Sequence, residues 1–232
     1  MDENNDELEL TVQGNNITIK NEKYANYQIE VQDNYPGITV KRDWHIINFY
    51  FSNNGIKILG SGGRLTTPIE ADKLSYFDGF ESIASNRGYI WGRTIPMLDL
   101  YLFIGAGPDN YPLAFPQDDF IAKLNANWDW DANLVVDKPH NLFLQGATNT
   151  GVFSLLALLF VYGVYLISSL KLYSRMHYDS LEKYLGASSF LSIIGYLAAG
   201  IFNDSIVSVA PIFWIILGLG ISINLRLKDK IS

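Results

Sequence analysis

Three long stretches of the chain contain no ionised side chain, and they constrain the fold more than any other feature. They cover residues 141–170, 185–203 and 205–225. About 20 apolar residues suffice to span the hydrocarbon core of a bilayer. The stretches are rich in Leu, Ile, Phe, Val, Gly and Ala, which is typical of membrane helices. They therefore predict three transmembrane helices, over residues 146–170, 185–203 and 206–225.

The ionised side chains are divided unevenly between the two parts of the chain. Residues 1–145 carry 11 Lys and Arg against 20 Asp and Glu, whereas residues 146–232 carry 6 against 4. The first part is therefore expected to be an acidic, soluble body. It shows no basic stripe, so nucleic acid is not an expected partner. The chain has no cysteine, which excludes disulfides, a thiol nucleophile and any cysteine-ligated metal.

Orientation in the membrane follows from the basic residues near the predicted helix ends, because Lys and Arg there are retained on the cytoplasmic side. Three of them fill the bridge after the first helix and three fill the tail at 226–232; they are Lys171, Arg175, Lys183, Arg226, Lys228 and Lys230. Both sites are cytoplasmic only if the turn at 203–205 faces outward. The prediction is a multi-pass protein of the cell membrane with residues 1–145 extracytoplasmic.

The first residues of the chain lack the cationic flank and apolar core of a signal peptide. Nothing in residues 1–145 explains how the acidic body crosses a membrane. We therefore expect the chain to be the C-terminal part of a larger polytopic protein, whose upstream helices deliver the body to the outer side.

Residues 1–63 have the pattern of a small antiparallel β-domain of five or six strands. Apolar residues alternate along several short segments, and the Asn54-Gly55 pair between two of them is a strong hairpin signal. The simpler interpretation is a spacer or cover over a membrane site. The alternative is a glycan-binding module, for which Trp44 and Tyr50 are the stacking residues.

Residues 64–145 are expected to form an extracytoplasmic loop with short helices. One of these predicted helices carries Arg87 and Arg93. A guanidinium group stays charged and presents a planar donor fork, which suits a diphosphate. The alternative is that the two arginines pair with Glu81 or Asp99 at the surface.

No metal site and no cofactor are predicted. Residues 129–133 begin like a calcium loop, but Leu134 replaces the required glycine and His140 replaces the bidentate glutamate. The three histidines are too far apart in the sequence to form a ligand motif.

Several segments carry a family resemblance: "RGYIWGRTIPML", "GAGPDNY", "FPQDDF", "KPHNLFLQ" and "NTGVFSLLALL". Together they resemble the O-antigen ligase and O-antigen polymerase family of membrane proteins, from about Asn86 to Asn224. The most specific part is Pro139-His140-Asn141 at the mouth of a predicted membrane helix.

The resemblance implies an inverting, metal-independent glycosyltransferase at the outer face of the cytoplasmic membrane. Its donor would be a polyprenyl-diphosphate-linked glycan, and its acceptor a glycan or lipid. His140 would act as general base or orient the acceptor, Asn141 would hold its ring, and Asp204 would orient the base or pair with an arginine. Arg87, Arg93 and Trp91 would bind substrate. The family has many more membrane helices than this chain, so upstream helices are expected partners.

Two alternatives stay open. One is a non-enzymatic, membrane-tethered surface protein that binds a glycan or a partner through its β-domain. The other is an inactive remnant of a truncated gene, which would carry the same motifs without activity.

Overall fold

The structure, a computed structural model, describes residues 7–42, 45–59, 64–126 and 134–230. The chain divides into two compact units. The first contains Met1–Ala71 and Pro116–Val135, and the second contains Asp72–Phe115 and Val136–Ser232. Trp44 and the calcium-like segment at 129–133 lie outside the described residues, so the predictions about them stay untested.

The first unit is built on an antiparallel sheet of seven strands that pair in sequence order. The expected antiparallel β-domain is confirmed, with more strands than the five or six predicted, because a short seventh strand follows residue 63. The strands are β1 (Leu10–Gln13), β2 (Asn16–Ile19), β3 (Gln28–Val31), β4 (Gly37–Arg42), β5 (His45–Ser52), β6 (Gly55–Leu59) and β7 (Leu65–Thr66).

The register of the sheet follows from its alternating apolar residues, since directly paired residues share a face. Val12 lies opposite Ile17, Ile17 opposite Ile29, and Ile29 opposite Val40. The same face continues into β5 and β6, where Phe120 from a short helix covers it by packing with Ile58. Two of the hairpin turns contain glycines with positive φ, Gly14 at +59° and Gly55 at +102°, as the turn signals predicted.

Seven α-helices lie in the described residues. The first unit contains α3 (Phe120–Asn125). The second unit contains α1 (Ile83–Tyr101), α2 (Tyr111–Ala114), α4 (Leu142–Thr150), α5 (Val152–Tyr173), α6 (Leu181–Ala199) and α7 (Ala210–Asp229). Regular helical geometry in α1 begins only at Arg87, because Ala84, Ser85 and Asn86 all have positive φ. This α1 is longer than the short helix that the sequence indicated.

Helices α5, α6 and α7 pack as a bundle around buried aromatic and aliphatic side chains: Tyr162, Tyr165, Ile193, Phe213 and Leu217. Large apolar side chains also point outward from α5 and α7, including Phe160, Val164, Ile167, Ile215 and Leu225, all more than half exposed. In their most apolar segments only 17% of α5 and 33% of α7 residues are buried. This exterior suits a hydrocarbon environment.

Two helices of the described residues, α5 and α7, are long and apolar enough to cross a membrane. Helix α6 does not reach the same apolarity, since its first turn contains Glu182 and Lys183. Three membrane-spanning helices therefore stay a prediction. The predicted bounds 146–170, 185–203 and 206–225 differ from the helices of the structure, which are Val152–Tyr173, Leu181–Ala199 and Ala210–Asp229, because Gly151 ends α4 within the first predicted span.

The bundle has one basic end. There Arg226 Nε lies 3.2 Å from Glu182 Oε1, and Lys228 Nζ donates to Ser168 Oγ at 2.7 Å. These contacts join the end of α7 to the start of α6 and to the end of α5, as expected when consecutive helices run antiparallel. His140 and Asp204 belong to the opposite end, where α4 begins and the turn joins α6 to α7.

Gly151 separates α4 from α5. Its φ of +83° and ψ of +173° lie in a backbone region that is essentially restricted to glycine. A Cβ added at Gly151 would overlap the carbonyl oxygen of Phe103. The break between the two helices therefore depends on this glycine.

Gly151→Ala should lower the free energy of unfolding by more than about 3 kcal/mol, because it adds both backbone strain and overlap. Gly163→Ala is the matched control, since a Cβ there meets nothing within 4 Å and alanine favours the helix. Thermal unfolding of the detergent-solubilised protein by circular dichroism would measure both. Equal midpoints for the two variants would contradict the assigned role of Gly151.

Candidate functional site

The site is assembled on the turn that follows α6, at residues 200–205. Its backbone is bonded to the segment that leads into α4: Leu142 N–H donates to the Gly200 carbonyl at 2.7 Å. Asn141 Nδ2 donates to the Ile201 carbonyl at 2.8 Å. Ser205 N–H donates to Gln145 Oε1, also at 2.8 Å. These bonds hold the two segments side by side, although about sixty residues separate them in the sequence.

His140 and Asp204 meet where these segments run together. His140 Nδ1 lies 2.9 Å from Asp204 Oδ2, and the Asp204 side chain is only 9% exposed, against 37% for His140. A carboxylate accepts, so Nδ1 carries the proton and donates to Asp204. No residue in the described parts of the chain bonds Nε2. This second ring nitrogen is therefore a free acceptor on the exposed side of the ring.

The backbone of His140 is itself unusual. Its φ is +49°, a left-handed conformation that costs a non-glycine residue about 1–2 kcal/mol. Trp91 Nε1 donates to the Pro139 carbonyl at 2.8 Å, directly before His140. The Trp91 ring also packs against Phe202, with centroids 5.9 Å apart. Trp91 thus contacts both segments of the site, the one before His140 through its Nε1 and the turn after α6 through its ring.

The resemblance implies that Asn141 holds the His140 ring, but none of the hydrogen bonds of the Asn141 side chain goes to that ring. Its Oδ1 accepts from the N–H groups of Phe143 and Leu144, both at 2.9 Å. This is the hydrogen-bonding pattern of an asparagine N-cap. Its Nδ2 is the donor to Ile201 described above. Asn141 therefore starts α4 and ties α4 to the turn after α6.

Arg87 lies beside the same turn. Its Nε donates to the Phe202 carbonyl at 3.0 Å, and its Nη1 donates to the Ala84 carbonyl. No described residue bonds Nη2, which leaves one edge of the guanidinium fork for an anion. Neither partner of Arg87 is Glu81 or Asp99, the two acidic residues of the alternative interpretation.

Arg93 lies in the interior of the second unit. It is 5% exposed, and its guanidinium carbon is 4.5 Å from the centroid of the Tyr89 ring. Stacking on an aromatic ring stabilises a guanidinium group that is buried away from water. The structure therefore places Arg87 at the site surface and Arg93 in the packed layer below it.

Two further residues of this neighbourhood, Tyr111 and Thr94, lie in the quoted segments but were not assigned a role from the sequence. Thr94 Oγ1 donates to the Ile90 carbonyl at 2.7 Å, so the Tyr111 hydroxyl is the donor in the 2.7 Å bond between Tyr111 and Thr94. Burial raises the pKa of the Tyr111 hydroxyl well above its ordinary value. The bond to Thr94 opposes this rise, and the charges of Tyr89, Asp204 and Asp137 add to it. Tyr111 is therefore a neutral donor at physiological pH.

The chemistry available to this arrangement is acid–base chemistry. A histidine with one nitrogen held by a buried carboxylate and the other exposed is an oriented general base. The free edge of Arg87 supplies a fixed positive charge nearby. Among the described residues, no group of His, Asp and Glu has an arrangement that could hold a metal ion.

No protein-family model, no curated protein and no solved structure matches this chain. Membership of the O-antigen ligase and polymerase family therefore stays a prediction that rests on the motifs quoted above.

Tyr111→Phe should lower the free energy of unfolding at neutral pH by about 1 kcal/mol, through the lost bond to Thr94. Because folding raises the pKa of Tyr111, its contribution is present below about pH 10 and is lost at higher pH. The gap in unfolding free energy between wild type and variant should therefore shrink above that pH.

Chemical unfolding of the solubilised protein at several alkaline pH values would measure this gap. Tyr76→Phe is the control, since Tyr76 is 83% exposed. A gap that stays constant across the pH range would contradict the buried, neutral state of Tyr111.

Proposed function

We propose that this chain is the catalytic C-terminal part of a membrane glycosyltransferase. It would transfer a polyprenyl-diphosphate-linked glycan to an acceptor hydroxyl at the outer face of the cell membrane. The observation that carries the proposal is the 2.9 Å contact of His140 with the buried Asp204 at the mouth of the apolar helices.

In the proposed reaction the acceptor hydroxyl attacks the anomeric carbon on the face opposite the diphosphate, which inverts its configuration. The hydroxyl proton passes to His140 Nε2, and Asp204 stabilises the imidazolium ion that forms. The bond between the anomeric carbon and the diphosphate oxygen breaks, and its electron pair leaves with the diphosphate. A diphosphate is already an anion, so charge stabilisation suffices for its departure.

Arg87 is the residue best placed to supply that stabilisation. It bonds the carbonyl of Phe202, two residues before Asp204, and keeps Nη2 free. Arginine presents parallel N–H groups to phosphate oxygens, which gives both charge and geometry. Arg93 would contribute indirectly, because it is buried and packs against the Tyr89 ring.

The membrane arrangement agrees with an outward-facing site. The basic end of the bundle, with Arg226 and Lys228, is opposite the end with His140 and Asp204. Since basic residues at membrane boundaries favour the cytoplasmic side, the pair lies on the outer side. Lipid-diphosphate donors would reach it laterally from the bilayer.

His140→Ala should reduce glycan transfer by about 10²–10⁴-fold, the usual contribution of a general base, without changing protein abundance in the membrane. The measurement is chain elongation or attachment of radiolabelled lipid-linked glycan by membranes of the encoding organism. His177→Ala is the matched control, since His177 is exposed near the basic end. Normal transfer by His140→Ala would remove His140 from the reaction.

Arg87→Lys should lower transfer by about tenfold or more, because lysine keeps the charge and loses the planar fork. Arg175→Lys makes the same exchange at an exposed position near the basic end and should leave transfer unchanged. Both rates would be compared at saturating acceptor and varied donor. A rate equal to wild type for Arg87→Lys would contradict a role in binding the diphosphate.

A further inference from the structure

A row of exposed apolar side chains runs along the outside of α5. Its members follow one another at intervals of three or four residues, so they share one face of the helix. Each is more than half exposed: Phe153, Leu156, Phe160, Val164 and Ile167. The row continues beyond the start of α5, because the Phe153 ring packs against the ring of Phe103, with centroids 5.9 Å apart.

Phe103 belongs to residues 100–104, at the end of α1 and directly after it, which we call the apolar tip. Leu100 is 81% exposed and Ile104 is 86% exposed, and Phe103 is also more than half exposed. Residues 100–108 contain no ionised side chain. An exposed apolar patch of this kind is typical of a surface that contacts a partner or a membrane.

The backbone of the apolar tip is bonded to the junction of α4 and α5. Val152 N–H donates to the Leu102 carbonyl at 2.7 Å, and Ala106 N–H donates to the Thr148 carbonyl, also at 2.7 Å. An irregular segment can lie beside hydrocarbon only where its backbone groups find partners in the protein. These bonds supply such partners, and they fix the tip at the level of the first residue of α5.

The depth of the tip in a membrane follows from the length of α5. Lys171, in the last turn of α5, comes nineteen residues after Val152. A rise of 1.5 Å per residue separates them by about 28 Å, and the hydrocarbon core of a bilayer is about 30 Å thick. A lysine near a helix end keeps its ammonium group at the membrane boundary. With Lys171 at one boundary, Val152 lies at the other, and so does the tip.

We propose that the apolar tip inserts into the interfacial layer of the bilayer, in the leaflet opposite Lys171. Leu100, Phe103 and Ile104 contact the acyl chains there, and the neighbouring Tyr101 ring suits the headgroup level. Part of the region 64–145 then belongs to the membrane surface and not to the aqueous phase. The proposal rests on α5 crossing the membrane, for which its length and apolarity suffice, and not on the proposed transfer reaction.

Insertion of the tip anchors α1 at its C-terminal end. Regular helix runs from Arg87 to Tyr101, a length of about 21 Å at 1.5 Å per residue. At the other end of this helix, Arg87 Nε donates to the Phe202 carbonyl. Helix α1 therefore connects the bilayer surface to the turn after α6.

Single cysteines can report the depth of the tip, because the chain contains no other cysteine. The full chain is placed in phosphatidylcholine nanodiscs with one nitroxide label, on Leu100→Cys, Ile104→Cys, Phe160→Cys or Asn53→Cys. All four side chains are exposed, so a label there does not disturb packing. Phe160→Cys is the hydrocarbon reference. Asn53→Cys, in the turn between β5 and β6, is the aqueous reference.

Electron paramagnetic resonance compares how often each nitroxide collides with oxygen, which concentrates in hydrocarbon, and with a nickel chelate, which stays in water. Spin-labelled lipids calibrate the ratio of the two collision rates as a depth. We expect the labels at 100 and 104 to lie about 5–10 Å inside the boundary between headgroups and acyl chains. The label at 160 should lie deeper, since it is about 12 Å further along α5 than Val152.

Three results would overturn the proposal. Labels at 100 and 104 that match Asn53→Cys would place the tip in water. Labels at 100 and 104 that meet neither oxygen nor the nickel chelate would show that protein covers the tip, as in a contact between two copies of the chain. A label at 160 outside the hydrocarbon would refute the crossing of α5. None of these results depends on glycan transfer, so the tip and the proposed function can fail separately.

Discussion

Three successive carbonyl groups after the end of α6 organise the site. A helix end leaves carbonyl groups without partners, and at the boundary of an apolar bundle they must be satisfied from within the protein. Here the carbonyls of Gly200, Ile201 and Phe202 accept from Leu142, Asn141 and Arg87, respectively. Because these donors come from two distant segments, satisfying the helix end also brings His140 to Asp204.

Polar groups at the other end of the bundle are also hydrogen-bonded within the protein. Tyr173 Oη donates to Asn224 Oδ1 at 2.6 Å, and Asn224 Nδ2 donates to Ser169 Oγ at 2.7 Å. These groups are buried between helices whose outer surfaces are apolar. Polar contacts therefore lie inside the bundle beside its apolar core, whereas the outer surfaces are apolar, which is the distribution expected where the solvent is hydrocarbon.

Some of this could be predicted from the sequence because it depends on local patterns. Alternating residues and glycine turns indicated the antiparallel sheet, and charge-free stretches indicated the apolar helices α5 and α7. The pattern around 139–141 identified His140 as a candidate. The sequence did not show that Gly151 separates two helices, because the carbonyl group that approaches Gly151 belongs to Phe103, in another segment.

The remaining features depend on contacts between distant residues. The pairing of Asp204 with His140 was one of two options for Asp204, and only the fold brings the two side chains to 2.9 Å. The division between Arg87 at the surface and Arg93 in the interior depends on which side of α1 packs against Tyr111 and Phe115. Gln145 and Tyr111 lie in the quoted motifs but could not be assigned a role, since a single amide or phenol has many ordinary uses.

The central claim is that His140 and Asp204 act as one catalytic unit. A double-mutant cycle on kcat/KM for glycan transfer tests it most directly, with His140→Ala, Asp204→Asn and the double variant compared in the same membranes. Residues that act as a unit are strongly non-additive. If the two side chains act as one unit, the double variant is no slower than His140→Ala alone. Losses that simply multiply would show that His140 and Asp204 act independently and would contradict a shared catalytic role.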